Sequence, residues 1–415
     1  MADPSTSPPL TRASVIAAHA LIRPFVHHTP TITNATLSGM ASGAVPLPSL
    51  PSSSTSSLGE GKAKPKMRLW FKCENLQRVG AFKARGAFHA VERLKREPGW
   101  EANGGREKGV VTHSSGNHAQ ALALAARESR IPAHIVMPSI SAAPKIAATR
   151  GYGARVVFSG STSVEREAVT ADVIAATGAR LVPPYDHPDI VLGQGTLGLE
   201  MQDDVRASML SPSSPSASAS GGGGSKGGPT WVPATEPGVP STKLERVRAG
   251  ARPALDAILA PCGGGGMLSG VALSCEGTGT RVYGCEPAFA GADDAGRGYE
   301  AGVRVERVSS LTIADGLRTP VGVVPWGIIY ERRLVAGFHA VTEDQIRGAM
   351  RLVYERLKMV VEPSAVVGLA VALYDEGFRA MVEREAGEEG WDVGIVFSGG
   401  NVSLDALGGL FGEGK

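Results

Sequence analysis

The sequence predicts an α/β fold built mainly on parallel sheets, and three observations carry that prediction. Short apolar, β-branched runs alternate with helical stretches along most of the chain. Several of these runs end in glycine or a turn. The residues of unusual chemistry fall just past them, where open parallel sheets bind their ligands.

Taken in order, Arg68–Cys73 (RLWFKC) reads as a strand and Ala81 to about Lys95 as a helix. Gly109–Thr112 is a short buried strand, and Asn117–Glu128 an Ala-rich helix. Ala133–Met137 is a strand, a helix lies near Ala143–Thr149, and Ala154–Phe158 repeats the pattern. Asp256–Pro261, Arg281–Glu286 and Val393–Phe397 are further strands. Two segments stand apart. Residues 41–66 are rich in Ser, Pro and Gly, and residues 207–230 more so. Neither can bury enough apolar surface to offset its ordering entropy, so both read as surface insertions open to disorder.

Composition narrows the class. The 415 residues suffice for two domains, and 42% hydrophobic content excludes a wholly disordered chain. A net charge of +2, from 42 basic and 40 acidic side chains, leaves no footprint for nucleic acid or an anionic membrane. Cys73, Cys262, Cys275 and Cys285 show no CxxC spacing, which argues for reduced thiols and a cytoplasmic protein. No apolar run reaches membrane-spanning length, and the N-terminus lacks the apolar core of a secretion signal.

Four constellations carry chemistry. In Asn75–Ala87 (NLQRVGAFKARGA), Lys83 follows Phe82 and is flanked by Gly80 and Gly86, small neighbours that leave room for a flat ligand. A lysine that reacts through its amine must be neutral, and partial burial beside an aromatic ring lowers its pKa. A solvated lysine and a core-packed Phe82 are the bland alternatives. His113–Gln120 (HSSGNHAQ) follows a buried strand at a helix N-terminus, where backbone N–H groups and the helix dipole favour a carboxylate; a Ser cap is the simpler account. Pro261–Gly270 (PCGGGGMLSG) places four glycines between a strand and an apolar helix, so backbone amides can wrap a phosphate. No Gly-Lys-Ser/Thr follows and the dinucleotide pattern is absent, which disfavours ATP and NAD. The glycines of Gly221–Gly224 sit among serines and read as linker. Phe397–Asn401 (FSGGN) puts Ser398 at the end of a buried strand, where it could meet a ring nitrogen or simply make a turn.

These motifs, in this order, resemble the fold-type II pyridoxal-5′-phosphate (PLP) enzymes of the serine/threonine dehydratase and serine racemase group. The likeness covers roughly residues 13–410, apart from the two insertions, and includes DHPDIVLGQGTLGLE (186–200), TIADGLR (312–318) and VEPSAVVGLA (361–370). It implies a tryptophan synthase β-like fold of two parallel-rich α/β domains with PLP in the cleft between them. Residues 1–108 and 193–415 would form the discontinuous large PLP-binding domain, and residues 109–192 a small mobile substrate domain. By the resemblance, Lys83 is the Schiff-base lysine and Phe82 lies beside the pyridine ring. Asn117 bonds the PLP 3′-hydroxyl, Gly263, Gly264, Gly265 and Gly266 bind the phosphate, and Ser398 partners the pyridine nitrogen. Ser114, Ser115, Gly116 and His118 take the substrate carboxylate, and Ser115 faces Lys83 across the cofactor. Ala81 stands where many relatives have Ser, and by the resemblance alanine there also occurs in fungal-type hydroxy-amino-acid dehydratases. Glu286 and Asp294, with the Ala292 carbonyl, match a divalent-cation site for Mg²⁺ or Ca²⁺, with two extra residues in the gap.

The resemblance implies an L-serine/L-threonine ammonia-lyase that forms a keto acid and ammonia, with Lys83 as α-proton base, acting as a homodimer. Serine racemase, threo-3-hydroxyaspartate dehydratase and a non-catalytic PLP-binding sensor are the rivals. A neutral Ser398 at the ring nitrogen suits elimination better than a carboxylate would. With fourteen residues after Asn401, no regulatory domain and no isoleucine feedback are expected.

Overall fold

The computed structural model describes residues 4–50, 63–141, 143–211 and 240–411. Among the described residues the apolar runs form ten strands: β1 (Thr31–Thr33), β2 (Met67–Cys73), β3 (Val110–His113), β4 (Ala133–Pro138), β5 (Arg155–Ser159), β6 (Arg180–Leu181), β7 (Ala257–Pro261), β8 (Arg281–Pro287), β9 (Gly337–Val341) and β10 (Trp391–Phe397). They make two sheets, ordered β1-β2-β10-β7-β8-β9 and β5-β4-β3-β6. Among the described strands only β1 against β2 is antiparallel. Strands covered on both faces read as continuous apolar runs rather than alternating ones. Accordingly every residue of β4 and β10 is buried.

β10 lies between β2 and β7, with Phe397 opposite Cys73 and Ile395 opposite Leu259. Phe71 stacks on Phe397 with centroids 5.0 Å apart, and burying each ring contributes about 1.5–3 kcal/mol. This register brings the carboxyl ends of β2, β10 and β7 side by side. The chain leaving β2 reaches Lys83, that leaving β10 Ser398, and that leaving β7 the four glycines. In the smaller sheet β3 delivers Ser114–Asn117.

A 23-residue helix, Pro188–Leu210, runs against both the Lys83–Leu94 and the Gly266–Cys275 helices. Its approach requires bare backbone: a Cβ on Gly86 would lie 2.4 Å from Gln194 Nε2, and one on Gly193 would lie 2.7 Å from the Gly86 Cα. Gly86 therefore serves helix packing, and its N–H donates to Gln194 Oε1 at 3.0 Å. The expectation that it clears space for a flat ligand is corrected.

The insertion boundaries also change. Ala41 is the buried end of the Ala35–Ala41 helix, Leu47 packs on the core, and the Ala63 carbonyl accepts from Arg379 Nη2 at 2.7 Å. Only residues 51–62 of the first segment lie outside the described residues. Residues 207–210 are the last turn of the long helix, with Met209 buried; residues 212–239 lie outside the described residues.

Candidate active site

Two consecutive left-handed residues, Val79 (φ 56°) and Gly80 (φ 67°), turn the chain after β2. A β-branched residue rarely adopts that conformation. The turn lets Ala81 bridge Gly399 and lets the Phe82 N–H donate to the Ser398 carbonyl at 3.0 Å. Lys83 then opens its helix. Its Nζ donates to the Pro184 carbonyl at 2.7 Å and lies 5.1 Å from the Phe82 ring centroid. Burial lowers its pKa to about 8, with the charge of Glu362 opposing. Part of the population is thus a neutral amine near neutral pH, as nucleophilic and basic roles require.

The glycine loop is bare because its surroundings leave no room. A Cβ on Gly263 would lie 2.9 Å from the Gly316 carbonyl oxygen. On Gly264 it would lie 2.4 Å from the Tyr185 ring, and on Gly265, at φ +81°, 2.8 Å from Pro325. Gly266 begins the Gly266–Cys275 helix. Ser398 is buried, and its hydroxyl makes no hydrogen bond among the described residues.

The Ser114–Asn117 turn leads into the Asn117–Ser129 helix, whose N-cap is Gly116 with no side chain capping it. Ser114 Oγ accepts from the Gly116 N–H at 3.3 Å, while a Cβ on Gly116 would meet nothing within 4 Å. The turn therefore presents open backbone to the cleft. The Ser115 hydroxyl makes no hydrogen bond among the described residues. His118 lies beneath the turn, buried, with Nε2 3.1 Å from the Val182 carbonyl. That contact requires a proton on Nε2 and leaves Nδ1 a buried acceptor without a partner. Burial, then the charge of Lys83, lowers the His118 pKa to about 3, so the ring is neutral. In this position it underpins the turn rather than offering a charge to a carboxylate.

Four crowded glycines, an amine brought towards neutrality and an unengaged serine hydroxyl fit a flat, phosphorylated aldehyde cofactor. The profile of the family described as "Pyridoxal-phosphate dependent enzyme" matches residues 46–228 and 238–399. The chain belongs to the pyridoxal-phosphate-dependent enzymes. Serine racemase of Oryza sativa subsp. indica is 35% identical over 396 residues, covering 95% of this chain and 91% of that one. L-threo-3-hydroxyaspartate ammonia-lyase of Saccharomyces cerevisiae is 36% identical over 340 residues, covering 81% and 84%. The crystal structure of serine racemase from Dictyostelium discoideum superposes with a TM-score of 0.69 at 33% identity, covering 95% of this chain and 99% of that one. This PLP enzyme thus has the expected tryptophan synthase β-like, type II fold.

Sequence reasoning did not single out three of the enzyme's cleft residues. Tyr185 lies on the glycine loop. Asp186 accepts from the Val323 and Val324 N–H groups at 3.0 and 2.8 Å. Glu362 accepts from Asn117 Nδ2 at 3.0 and 3.3 Å. A carboxylate inside the apolar run VVEPSAVVGLAVAL was the available signal for the last.

Beyond the cleft, Glu286 and Asp294 are both buried. Glu286 accepts from the Ala295 and Gly296 N–H groups at 3.0 and 2.8 Å. Burial, then the charge of Asp294, raises its pKa to about 8. Burial raises Asp294 to about 7, and its Oδ2 has no hydrogen-bond partner. Among the described residues no cluster of three His, Cys, Asp or Glu side chains forms a metal site. A cation here would rest on two carboxylates and a carbonyl, and the orphaned oxygen fits that role.

Proposed function

We propose that this enzyme is an ammonia-lyase that converts L-serine to pyruvate and L-threonine to 2-oxobutanoate, each with release of ammonia. The observation that carries the reading is the amine of Lys83, half-buried beside an aromatic ring and held by a carbonyl. PLP would be held by Lys83, Phe82, Asn117, Gly263–Gly266 and Ser398, and when bound it supplies an electron sink for cleavage at the substrate α-carbon. Lys83 Nζ takes the α-proton as general base. The backbone N–H of Ser115 and the open face of Gly116 receive the substrate carboxylate, with Ser114 bracing the turn through the Gly116 N–H and His118 beneath it. Residues 109–192, which contain the whole smaller sheet, act as the mobile substrate domain.

Racemisation is a second reading, supported by the unengaged Ser115 hydroxyl. That hydroxyl could return a proton to the opposite face of the α-carbon. A panel of L-serine, L-threonine and L-threo-3-hydroxyaspartate, assayed for keto acid and for D-serine, decides between the readings. Keto acid from serine and threonine at rates well above D-serine formation is expected. A strong preference for 3-hydroxyaspartate would overturn the substrate assignment. In Ser115→Ala, D-serine formation should fall by about 10²–10⁴-fold with less effect on elimination, the range for a lost proton donor.

We also infer that Glu286, Asp294 and the Ala292 carbonyl hold Mg²⁺ or Ca²⁺. A cation at one hundred times its dissociation constant should stabilise the protein by about 2.7 kcal/mol, read from thermal unfolding with and without chelator. Asp294→Asn should abolish the increment. Equal melting temperatures with and without cation would mean that the pair is purely structural.

A further inference from the structure

Glu362 is a carboxyl in a place that needs explaining. It is buried, and no lysine, arginine or histidine pairs with it among the described residues. Burying an ionisable group without a counter-ion is costly, and such groups concentrate at functional sites. Its environment is closely fitted. Its N–H donates to the Gly399 carbonyl at 3.0 Å. A Cβ on Gly399 would lie 2.8 Å from Glu362 Oε1, so the bare position beside Ser398 is what admits the carboxyl.

The carboxyl is aimed at one partner. Both of its oxygens accept from Asn117 Nδ2, at 3.0 and 3.3 Å. The other end of the same amide is also taken: Asn117 Oδ1 accepts from Asn401 Nδ2 at 2.8 Å, and Asn401 Nδ2 donates again to the Val79 carbonyl at 2.7 Å. An amide gripped at both ends cannot flip. Asn117 belongs to the smaller-sheet half of the molecule, whereas Glu362 and Asn401 belong to the other half.

We infer that Glu362 is a positioning residue that acts across the cleft through Asn117, fixing which end of that amide faces the cofactor. Asn117 Nδ2 carries two hydrogens. One is engaged by Glu362, which leaves the second to donate to the cofactor's phenolic oxygen. An acceptor behind a donor also polarises it and strengthens the donation. Burial, then the charge of Asp315, raises the Glu362 pKa to about 7, with Lys145 opposing. Lys145 and Asp315 themselves pair across the cleft at 2.9 Å. The inference rests on Asn117 being a cofactor contact, and its test separates the two claims.

The test is equilibrium dialysis of the full-length protein against PLP for wild type, Asn117→Ala, Glu362→Ala, Glu362→Gln and the double alanine variant. Asn117→Ala and Glu362→Ala should each weaken PLP retention about tenfold, the scale of one hydrogen bond to a buried partner. The double variant should be no weaker than Asn117→Ala alone, because Glu362 works only through Asn117. Glu362→Gln keeps an acceptor and should stay within about threefold of wild type. If Asn117→Ala retains PLP as wild type does, the Asn117 assignment fails. If Asn117→Ala weakens binding but Glu362→Ala does not, or if the two losses add, the Glu362 inference alone is overturned. Should Glu362→Ala not fold, a cofactor loss in Glu362→Gln equal to that in Asn117→Ala would overturn it as well.

Discussion

If Lys83 is the proposed base, Lys83→Ala should lower turnover on the proposed substrates, serine and threonine, by about 10²–10⁴-fold at the least, the contribution of a general base. It should also remove the visible absorption that PLP shows when it is linked to an enzyme lysine. The thermal unfolding temperature should change little, because Lys83 makes one hydrogen bond, to Pro184, and supports no part of the core. Lys83→Arg should be equally inactive, since a guanidinium stays charged where a neutral amine is required. The sign of the pH dependence follows from the same burial. Lys83 has its pKa lowered to about 8, so the competent form grows as pH rises and turnover should level off above that value. A Lys83→Ala protein that keeps both the visible band and its turnover would overturn the assignment of the lysine and the chemistry built on it.

The parts of this site that the sequence makes legible are those whose reason is local. Gly263–Gly266 stand out as four glycines between a strand and an apolar helix, and the structure shows each hemmed in by neighbours. The strand preceding Ser398 was visible as an apolar run, and so was the turn before the helix of Asn117. Reasons that lie across the fold were not legible. Gly86 looked like room for a ligand, yet its crowding comes from Gln194, more than one hundred positions away. Glu362 became a residue of interest only when its distance to Asn117 was known, because a single carboxylate in an apolar run carries no direction. The segment at 41–66 misled for a related cause. Its composition predicts a poor core, but composition does not register that Arg379 reaches from another element to hold the Ala63 carbonyl.

The largest loss of stability is expected at Arg85. It lies two residues after Lys83 on the same helix and is wholly buried. Its guanidinium donates to Glu74 through Nε and Nη2, both at 2.8 Å, and to Glu200 through Nη1 and Nη2, at 2.8 and 2.7 Å. Glu74 and Glu200 are buried too, and the buried Lys72 adds a second cation 2.9 Å from Glu200. Burial alone would push Glu200 up, but Arg85, with His19 and Lys72, holds its carboxyl well below the ordinary range. Removing one member of such a network leaves an uncompensated buried charge, at a cost of about 3–5 kcal/mol. Arg85→Met, which keeps the bulk, should lose that amount in denaturant unfolding, and adding Glu74→Gln should recover part of it as a coupled pair. The pH behaviour provides an independent check. The depressed pKa of Glu200 contributes stability above its ordinary value of 4.5 that is lost in acid. Without Arg85 the Glu200 carboxylate takes up a proton more readily, so the gap between wild type and variant should narrow as the pH falls below 4.5. A loss under about 1 kcal/mol would place the network with exposed ion pairs, which contribute little. The helix that carries Lys83 into the cleft would then need another anchor, and its packing on the Pro188–Leu210 helix would have to supply it.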